Sequence, residues 1–277
     1  MLRKFIKMHG AGNDYIYFDC LREELSEPAR LAVRLSDRHT GIGGDGIVLI
    51  CASGIADAKM RMFNADGSEG KMCGNAIRCV GKYLYESGAV NKTDISVETL
   101  SGVKYLRLYA ENGKVRSVRV DMGAAVFAPG RIPVLLEGDS VVDRAVNIAD
   151  KNYRITCVSM GNPHCVVFED PDAVELEKIG PLFENNRLFP ERVNTEFVQK
   201  IGPNSLKMRV WERGSGETMA CGTGACASAA AAVACGLCER GKDISVQLRG
   251  GTLTVNVGET VYMTGPAEIV FTGEVEI

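Results

Sequence analysis

A faint internal repeat is the feature of this sequence that most constrains the fold. Cys73 and Cys221 are each followed by glycine, and each lies at nearly the same distance from an upstream Gly-Asn pair. Cys73 follows Asn13 by 60 residues, and Cys221 follows Asn162 by 59 residues. Two unrelated glycine-rich loops would not keep this spacing, so the sequence predicts two copies of one structural unit.

Further landmarks keep the same order in the two halves. Asp45 and Asn194 each follow their asparagine by 32 residues, and each opens an apolar run typical of a strand. Helical patterns follow the cysteines over residues 75–87 and 223–235, and each stops before a glycine. Strand patterns with hairpin-like turns come after each helix. The sequence therefore predicts the α+β class, with two similar, mostly antiparallel domains related by a pseudo-twofold axis and each sheet wrapped around a central helix.

A segment rich in glycine, alanine and proline, residues 122–131, separates the two halves. Segments of this composition are common between domains. We therefore expect a first domain over residues 1–121 and a second domain over residues 122–265.

Composition and charge narrow the classes of function. The formal net charge is −3 and no basic cluster is present, so nothing indicates a nucleic-acid partner. The longest apolar stretch, residues 225–234, is too short to span a bilayer, and the N-terminus lacks the apolar core of a signal peptide. These features predict a cytoplasmic protein without a membrane partner.

The ten cysteines raise the question of a metal site. Cys235 and Cys238 form one close pair, but structural zinc sites usually show two such pairs, and the chain has only three histidines. We therefore predict no metal, and we expect both cysteines to be packing residues near a helix end.

A cysteine at the start of a helix has a chemical use. The thiol has a pKa of about 8.5, which the dipole of a helix N-terminus lowers. The same N–H groups bind carboxylates, and glycine beside the cysteine lets a ligand approach the backbone. Two such thiols, one in each domain, would let one sulfur remove a proton from a carbon acid while the other protonates the opposite face. This arrangement predicts inversion of a stereocentre in a small carboxylate-bearing substrate, with one thiolate and one thiol.

Polar residues at matching positions are candidates for holding that substrate. Asn64 lies nine residues before Cys73, and Glu212 lies nine residues before Cys221. Glu212 is suited to an amino group, and the guanidinium of Arg213 is suited to a carboxylate.

Seven segments also resemble a known family. They comprise residues 9–14, 41–46, 63–68, 72–75, 161–164, 194–197 and 212–224. Together they span nearly the whole chain, which resembles the diaminopimelate epimerases. The resemblance implies an isomerase that interconverts LL- and meso-diaminopimelate in lysine and peptidoglycan precursor synthesis, without pyridoxal phosphate or another cofactor. It also implies that residues 266–277 return to the first domain, that the domains close around the substrate, and that the protein forms a homodimer.

The resemblance implies a role for each matching residue. Cys73 and Cys221 resemble the catalytic pair, while His164 and Glu212 resemble the residues that adjust the pKa of the thiols. The implied substrate contacts are Asn13, Asn64, Gly74, Asn75, Asn162, Asn194, Glu212, Arg213, Gly222 and Thr223. Gly46 is a departure, because many members of the family have glutamine there, and the contact at the far end of the substrate is therefore in doubt.

Other readings of the two cysteines stay open at this point. A racemase of the proline racemase type would share the thiol pair without recognising a second amino-acid end. A thiol–disulfide redox protein would bridge Cys73 and Cys221, and an amino-acid-binding protein would need neither thiol.

Overall fold

The computed structural model describes all 277 residues and contains 18 strands and four α-helices. The chain divides into two compact units. The first unit comprises Met1–Asp121 together with Thr264–Ile277, and the second unit comprises Met122–Met263. No helix is long and apolar enough to cross a membrane.

The elements are numbered in chain order. Up to Asp121 they are β1 (Leu2–Gly10), β2 (Asn13–Cys20), α1 (Pro28–Ser36), β3 (Gly46–Cys51), β4 (Ala58–Asn64), β5 (Glu69–Gly70), α2 (Gly74–Glu86), β6 (Asp94–Thr99), β7 (Gly102–Glu111) and β8 (Lys114–Asp121). From there they are β9 (Arg144–Ile148), β10 (Lys151–Ser159), β11 (Pro163–Val167), α3 (Leu176–Glu184), β12 (Asn194–Gly202), β13 (Ser205–Glu212), β14 (Gly216–Glu217), α4 (Gly222–Ala234), β15 (Asp243–Leu248), β16 (Gly251–Val257), β17 (Val261–Gly265) and β18 (Glu268–Glu276).

The same sequence of strand pairings occurs in both units. In the first unit β1–β2 is antiparallel, β2–β3 parallel, β3–β4 antiparallel, β4–β6 parallel and β6–β7 antiparallel. In the second unit β10–β11, β11–β12, β12–β13, β13–β15 and β15–β16 repeat this order of directions. The first strand of each series has one more antiparallel neighbour, β18 for β1 and β9 for β10. The predicted α+β class and the structural repeat are therefore confirmed.

Each cysteine motif begins a helix that packs inside its own unit. α2 contacts β1, β2, β7 and β8, and α4 contacts β10 to β13, β15 and β16. Nearly every residue of α4 is buried, including its run of alanines, as expected for a helix enclosed by strands. Both helices begin one residue earlier than predicted, at Gly74 and Gly222, because the cysteine itself occupies the N-cap.

Two helices that the sequence patterns did not predict complete the cores. Leu31 and Leu35 of α1 pack with Ile16, Ile47 and other apolar residues of the first unit. In the second unit α3 contributes Phe183, whose ring meets Tyr153 and Phe197 edge to face. These helices are only nine residues long, which leaves a short periodic pattern in the sequence.

The backbone at Gly46 has no room for a side chain. A Cβ atom there would lie 2.0 Å from the carbonyl oxygen of Phe63 on the neighbouring strand β4. A Cβ contact this short requires the backbone of β3 or β4 to move. A glutamine at this position, which the resemblance led us to consider, is therefore incompatible with the local backbone of this chain.

We expect Gly46→Ala to lower the free energy of unfolding by about 2 kcal/mol, because the extra methyl group overpacks two paired strands. Gly54→Ala is the matched control, since a Cβ at Gly54 would meet no atom within 4 Å. Urea unfolding followed by circular dichroism measures both variants. Equal midpoints for the two variants would contradict the steric argument.

Candidate active site

Cys73 and Cys221 occupy equivalent positions at the starts of α2 and α4. Each is the N-cap residue with an extended backbone, φ −133° and ψ 119° for Cys73 and φ −113° and ψ 110° for Cys221. The amide of Ala76 donates to Cys73 Sγ at 3.4 Å, and the amide of Gly224 donates to Cys221 Sγ at 3.3 Å. Each sulfur therefore takes the place of the usual hydroxyl or carboxylate cap, next to the positive end of a helix dipole.

Asn13 connects Cys73 to the start of strand β3. The thiol of Cys73 donates to Asn13 Oδ1 at 3.3 Å, and Asn13 Nδ2 donates to Asp45 Oδ2 at 2.6 Å. Because β2 and β3 run parallel, their first residues lie at the same end of the sheet. This pairing fixes the amide of Asn13 with its oxygen towards the sulfur.

A cluster of charges supports the segment that carries Asp45. Arg38 donates to Asp14 Oδ1 at 2.7 Å and to Asp45 Oδ1 at 2.9 Å, and Lys7 forms an ion pair with Asp14. Burial alone would raise the pKa of Asp14, but the hydrogen bonds from Arg38 and Lys7 hold this pKa below its usual value. Asp14 is therefore an anion that binds both Arg38 and Lys7 next to the segment of Asp45.

The other predicted residues of the first unit lie near Asp45 and at the start of α2. Asn64 is the last residue of β4, and the amide of Ala65 after it donates to the carbonyl of Asp45 at 3.1 Å. Asn64 Nδ2 donates to Ser68 Oγ at 3.0 Å. Asn75 is buried, and its Oδ1 accepts from Arg78 Nη2 at 3.0 Å. Arg78, which sequence reasoning missed, is fully buried and also donates to the carbonyl of Gly74 at 2.9 Å. Its guanidinium thereby braces the first turn of α2 from inside.

In the second unit a continuous chain of polar contacts leads away from Cys221. Cys221 Sγ lies 3.5 Å from Thr223 Oγ1, which accepts from Asn162 Nδ2 at 3.3 Å. Asn162 Oδ1 lies 3.0 Å from His164 Nε2, and His164 Nδ1 lies 2.7 Å from Glu196 Oε1. His164 and Glu196 are completely buried.

Glu196 is a residue that sequence reasoning missed. It lies on β12 two residues after Asn194, so strand alternation places both side chains on one face. A Cβ on Gly224 would lie 2.6 Å from Glu196 Oε1. Gly224 of the cysteine motif therefore makes room for the carboxylate of Glu196 beside the first turn of α4.

Burial and two carboxylates set the protonation of Cys221. Burial raises the pKa of the Cys221 thiol well above its usual value, and the charges of Glu212 and Glu196 raise it further. The contacts with Thr223 and the Gly224 amide offset only part of this effect. Burial also raises the pKa of Glu212, against the hydrogen bond that Thr218 Oγ1 donates at 2.5 Å.

This result differs from the expectation for a helix N-terminus alone. The dipole favours a thiolate, but in a site closed to water the cost of desolvating a charge is larger than the gain from one helix end. Cys221 is therefore held as a neutral thiol at neutral pH.

The repeat is broken at the positions that carry these charges. Where the second unit has an imidazole and two carboxylates, the first unit has residues of other types. The equivalent pairs are Tyr15 and His164, Ile47 and Glu196, and Asn64 and Glu212. The two cysteines therefore share a helix-capping geometry but have different electrostatic surroundings.

Asn194 holds two segments of the second unit together. Its Nδ2 donates to the carbonyl of Pro163 at 2.9 Å, and its Oδ1 accepts from the amide of Arg213 at 2.9 Å. Arg213 Nη1 in turn donates to the carbonyl of Glu191 at 2.8 Å. These bonds place Glu212 and Arg213 beside the strand ends that carry Asn162 and His164.

The predicted site residues thus form one cluster in each unit. The first-unit cluster contains Asn13, Asn64, Cys73, Gly74 and Asn75, and the second-unit cluster contains Asn162, His164, Asn194, Glu212, Arg213, Cys221, Gly222 and Thr223. No group of three or more histidine, cysteine, aspartate or glutamate side chains is arranged to hold a metal ion. Cys235 caps the end of α4, with its sulfur 3.4 Å from Thr156 Oγ1.

Solved structures with this architecture define the class of fold. A hydroxyproline epimerase from Agrobacterium vitis superposes with a TM-score of 0.72 at 17% identity, covering 99% of this chain and 91% of that one. A probable proline racemase from Agrobacterium radiobacter K84 gives a TM-score of 0.72 at 16% identity, covering 99% and 93%. At these identities the likeness shows a common fold of racemases and epimerases.

Sequence similarity identifies the family within that fold. The model of the family described as diaminopimelate epimerase matches residues 5–128 and 156–270. A diaminopimelate epimerase of Agathobacter rectalis is 53% identical over 99% of both chains. Another from Methanococcus maripaludis is 53% identical over 99% of this chain and 100% of that one. The chain belongs to the diaminopimelate epimerase family.

We expect Glu212→Gln to lower the pKa of the Cys221 thiol, because the substitution removes a carboxylate that opposes thiolate formation. More thiolate should therefore be present at any given pH. The measurement is the pH dependence of thiolate ultraviolet absorbance, taken as the difference from the same variant carrying Cys221→Ser.

Glu169→Gln is the matched control for this titration. Glu169 forms an exposed ion pair with Lys151 and is not among the groups that shift the pKa of Cys221. An unchanged titration of Cys221 in Glu212→Gln would show that the Glu212 carboxylate does not raise its pKa.

Proposed function

We propose that this protein is an isomerase that epimerises LL-diaminopimelate to meso-diaminopimelate by two-base proton transfer between thiols and the α-carbon. The observation that carries the proposal is the repeated N-cap cysteine, Cys73 on α2 and Cys221 on α4, in a member of the diaminopimelate epimerase family. The diaminopimelate epimerases of Agathobacter rectalis and Methanococcus maripaludis are each 53% identical to it over nearly the full chain.

In the proposed reaction one sulfur acts as base and the other as acid. A thiolate removes the α-proton from one face of the substrate, and the other thiol donates its proton to the opposite face. The substrate loses one proton and gains one. The former thiolate is then a thiol and the former thiol a thiolate, which is the state that the reverse reaction needs. The raised pKa of Cys221 supports its role as the proton donor of the resting pair.

The helix starts supply the charge stabilisation that this reaction needs. Removing an α-proton delivers negative charge to the substrate carboxylate, and preorganised N–H donors stabilise such charge. We propose that the backbone of Gly74 and Asn75 on α2, and of Gly222 and Thr223 on α4, binds this carboxylate.

The remaining cluster residues are proposed as substrate contacts and as groups that tune the thiols. Asn13, Asn64, Asn162, Asn194, Glu212 and Arg213 are assigned to the substrate. His164 and Glu212 are assigned to thiol pKa values, and Glu196 joins them because it contacts His164 and its charge raises the pKa of Cys221. No cofactor takes part in this scheme.

The family suggests a setting for this reaction. We propose that the protein works in the cytoplasm, in lysine and peptidoglycan precursor synthesis, and that it forms a homodimer. Sedimentation velocity at several protein concentrations tests the dimer, for which a single species of twice the 29.9 kDa chain mass is expected.

Incubation with LL-diaminopimelate in deuterium oxide should place deuterium at the α-carbon and produce meso-diaminopimelate, without added pyridoxal phosphate. Proton magnetic resonance follows the loss of the α-proton signal. A parallel incubation with L-proline distinguishes the proline racemase alternative. Exchange of proline without exchange of diaminopimelate would reject the proposed substrate.

Cys73→Ala and Cys221→Ala should each reduce epimerisation by at least about 100-fold, because each removes one of the two acid–base groups. Cys238→Ala is the matched control, since Cys238 is buried beyond the end of α4 and belongs to neither cluster. Full activity in either of the first two variants would rule out the two-base scheme.

A further inference from the structure

A second pair of cysteines lies in the first unit, outside the cluster around Cys73. Cys20 is the last residue of β2 and Cys51 is the last residue of β3. The two strands are parallel and neighbours, and their register pairs Cys20 directly with Cys51. Neighbouring strands lie about 4.8 Å apart. This separation falls within the range of about 4.4 to 6.8 Å that disulfide bonds span between Cα atoms.

The two thiols contact each other but differ in exposure. The Cys20 and Cys51 side chains are hydrogen-bonded, and both lie on the face of the strands that packs under α1. Cys20 is a buried member of that core, with 5% of its surface exposed, whereas Cys51 is only partly buried at the edge. Cys51 is therefore the more accessible residue of the pair, and Cys20 is the protected one.

The surroundings of Cys51 favour its thiolate. The hydrogen bond from Cys20 lowers the pKa of Cys51, and the charges of Arg61 and Lys59 lower it further, against burial and the carboxylate of Glu24. The hydrogen bond with Cys51, burial and the negative charge of Cys51 raise the pKa of Cys20 in turn. Cys51 is the less buried of the two, so it is placed to attack an external disulfide, and the buried Cys20 is placed to resolve the mixed disulfide.

The second unit contains a pair that serves as an internal comparison. Cys157 and Cys165 are also directly opposite each other, on β10 and β11, and their thiols are hydrogen-bonded. Both have 0% of their surface exposed, and burial raises the pKa of Cys165 well above its usual value. Both pairs have a hydrogen bond between the two thiols. They differ in exposure, because Cys51 is partly exposed whereas Cys157 and Cys165 are both fully buried.

We propose that Cys20 and Cys51 form a modification site that reacts with low-molecular-weight disulfides and closes into an intramolecular disulfide. The Cys51 thiolate attacks one sulfur of the external disulfide, forming a mixed disulfide and releasing one thiolate. Cys20 then loses its proton to water and attacks Cys51 Sγ, which releases the second thiolate. The protein loses two electrons and two protons, and the external disulfide is reduced to two thiols.

The bond would join the far ends of two strands that matter for the candidate active site. β2 begins at Asn13, and β3 begins directly after Asp45, the partner of Asn13. The disulfide would enclose residues 20–51. This segment contains α1 and Arg38, whose side chain binds Asp14 and Asp45. The site itself is independent of the proposed epimerase activity, since it uses neither Cys73 nor Cys221.

The test uses the full chain with Cys73→Ser and Cys221→Ser, so that only other thiols react. The folded protein is incubated with oxidised glutathione, blocked with N-ethylmaleimide, digested without reduction and analysed by mass spectrometry. We expect a disulfide-linked pair of peptides containing Cys20 and Cys51 and the loss of two thiols per chain. Cys157 and Cys165 should carry neither a disulfide nor glutathione in the same sample.

Two single substitutions in this background separate the roles of the sulfurs. Cys20→Ala, which keeps an apolar side chain in the core, should stop the reaction at one glutathione bound to Cys51. Cys51→Ser should leave Cys20 unmodified, and circular dichroism checks that both variants are folded. Modification of Cys157 and Cys165 at the same rate as the first pair, or no reaction of Cys51 in the folded protein, would overturn the proposal.

Discussion

The hydrogen bond from a backbone amide to a cysteine sulfur at the start of a buried helix is the interaction on which this structure depends. It occurs at Cys73 through Ala76 and at Cys221 through Gly224. At each cysteine the extended backbone ends and the helix begins, and the bond holds the sulfur at the positive end of the helix dipole. One local contact therefore begins both repeated helices and places both candidate catalytic sulfurs.

The two units repeat in topology but not in charge. Strand pairings agree one by one, yet His164, Glu196 and Glu212 have no titratable carboxyl or imidazole equivalents in the first unit. The carboxylates and burial together keep Cys221 protonated. A reaction that needs one thiol and one thiolate requires such a difference between otherwise equivalent groups.

Two glycines of these segments lie against distant parts of the protein. A Cβ at Gly46 would meet the Phe63 carbonyl, and a Cβ at Gly224 would meet the Glu196 carboxylate. The sequence places these glycines but does not reveal their neighbours, because the neighbours are 17 and 28 residues away along the chain. Arg78 lies only three and four residues from its partners Asn75 and Gly74, but its complete burial is seen only in the packed structure.

By itself the sequence determined the α+β class, the repeat, and the family, with both cysteines at helix starts. Capping and periodicity are local properties, so spacing along the chain is sufficient to find them. Only the tertiary structure decided that Glu196 meets His164, that burial raises the pKa of Cys221, and that Cys20 faces Cys51. Strand register and exclusion of water arise when distant segments pack together, and no short stretch of sequence specifies either.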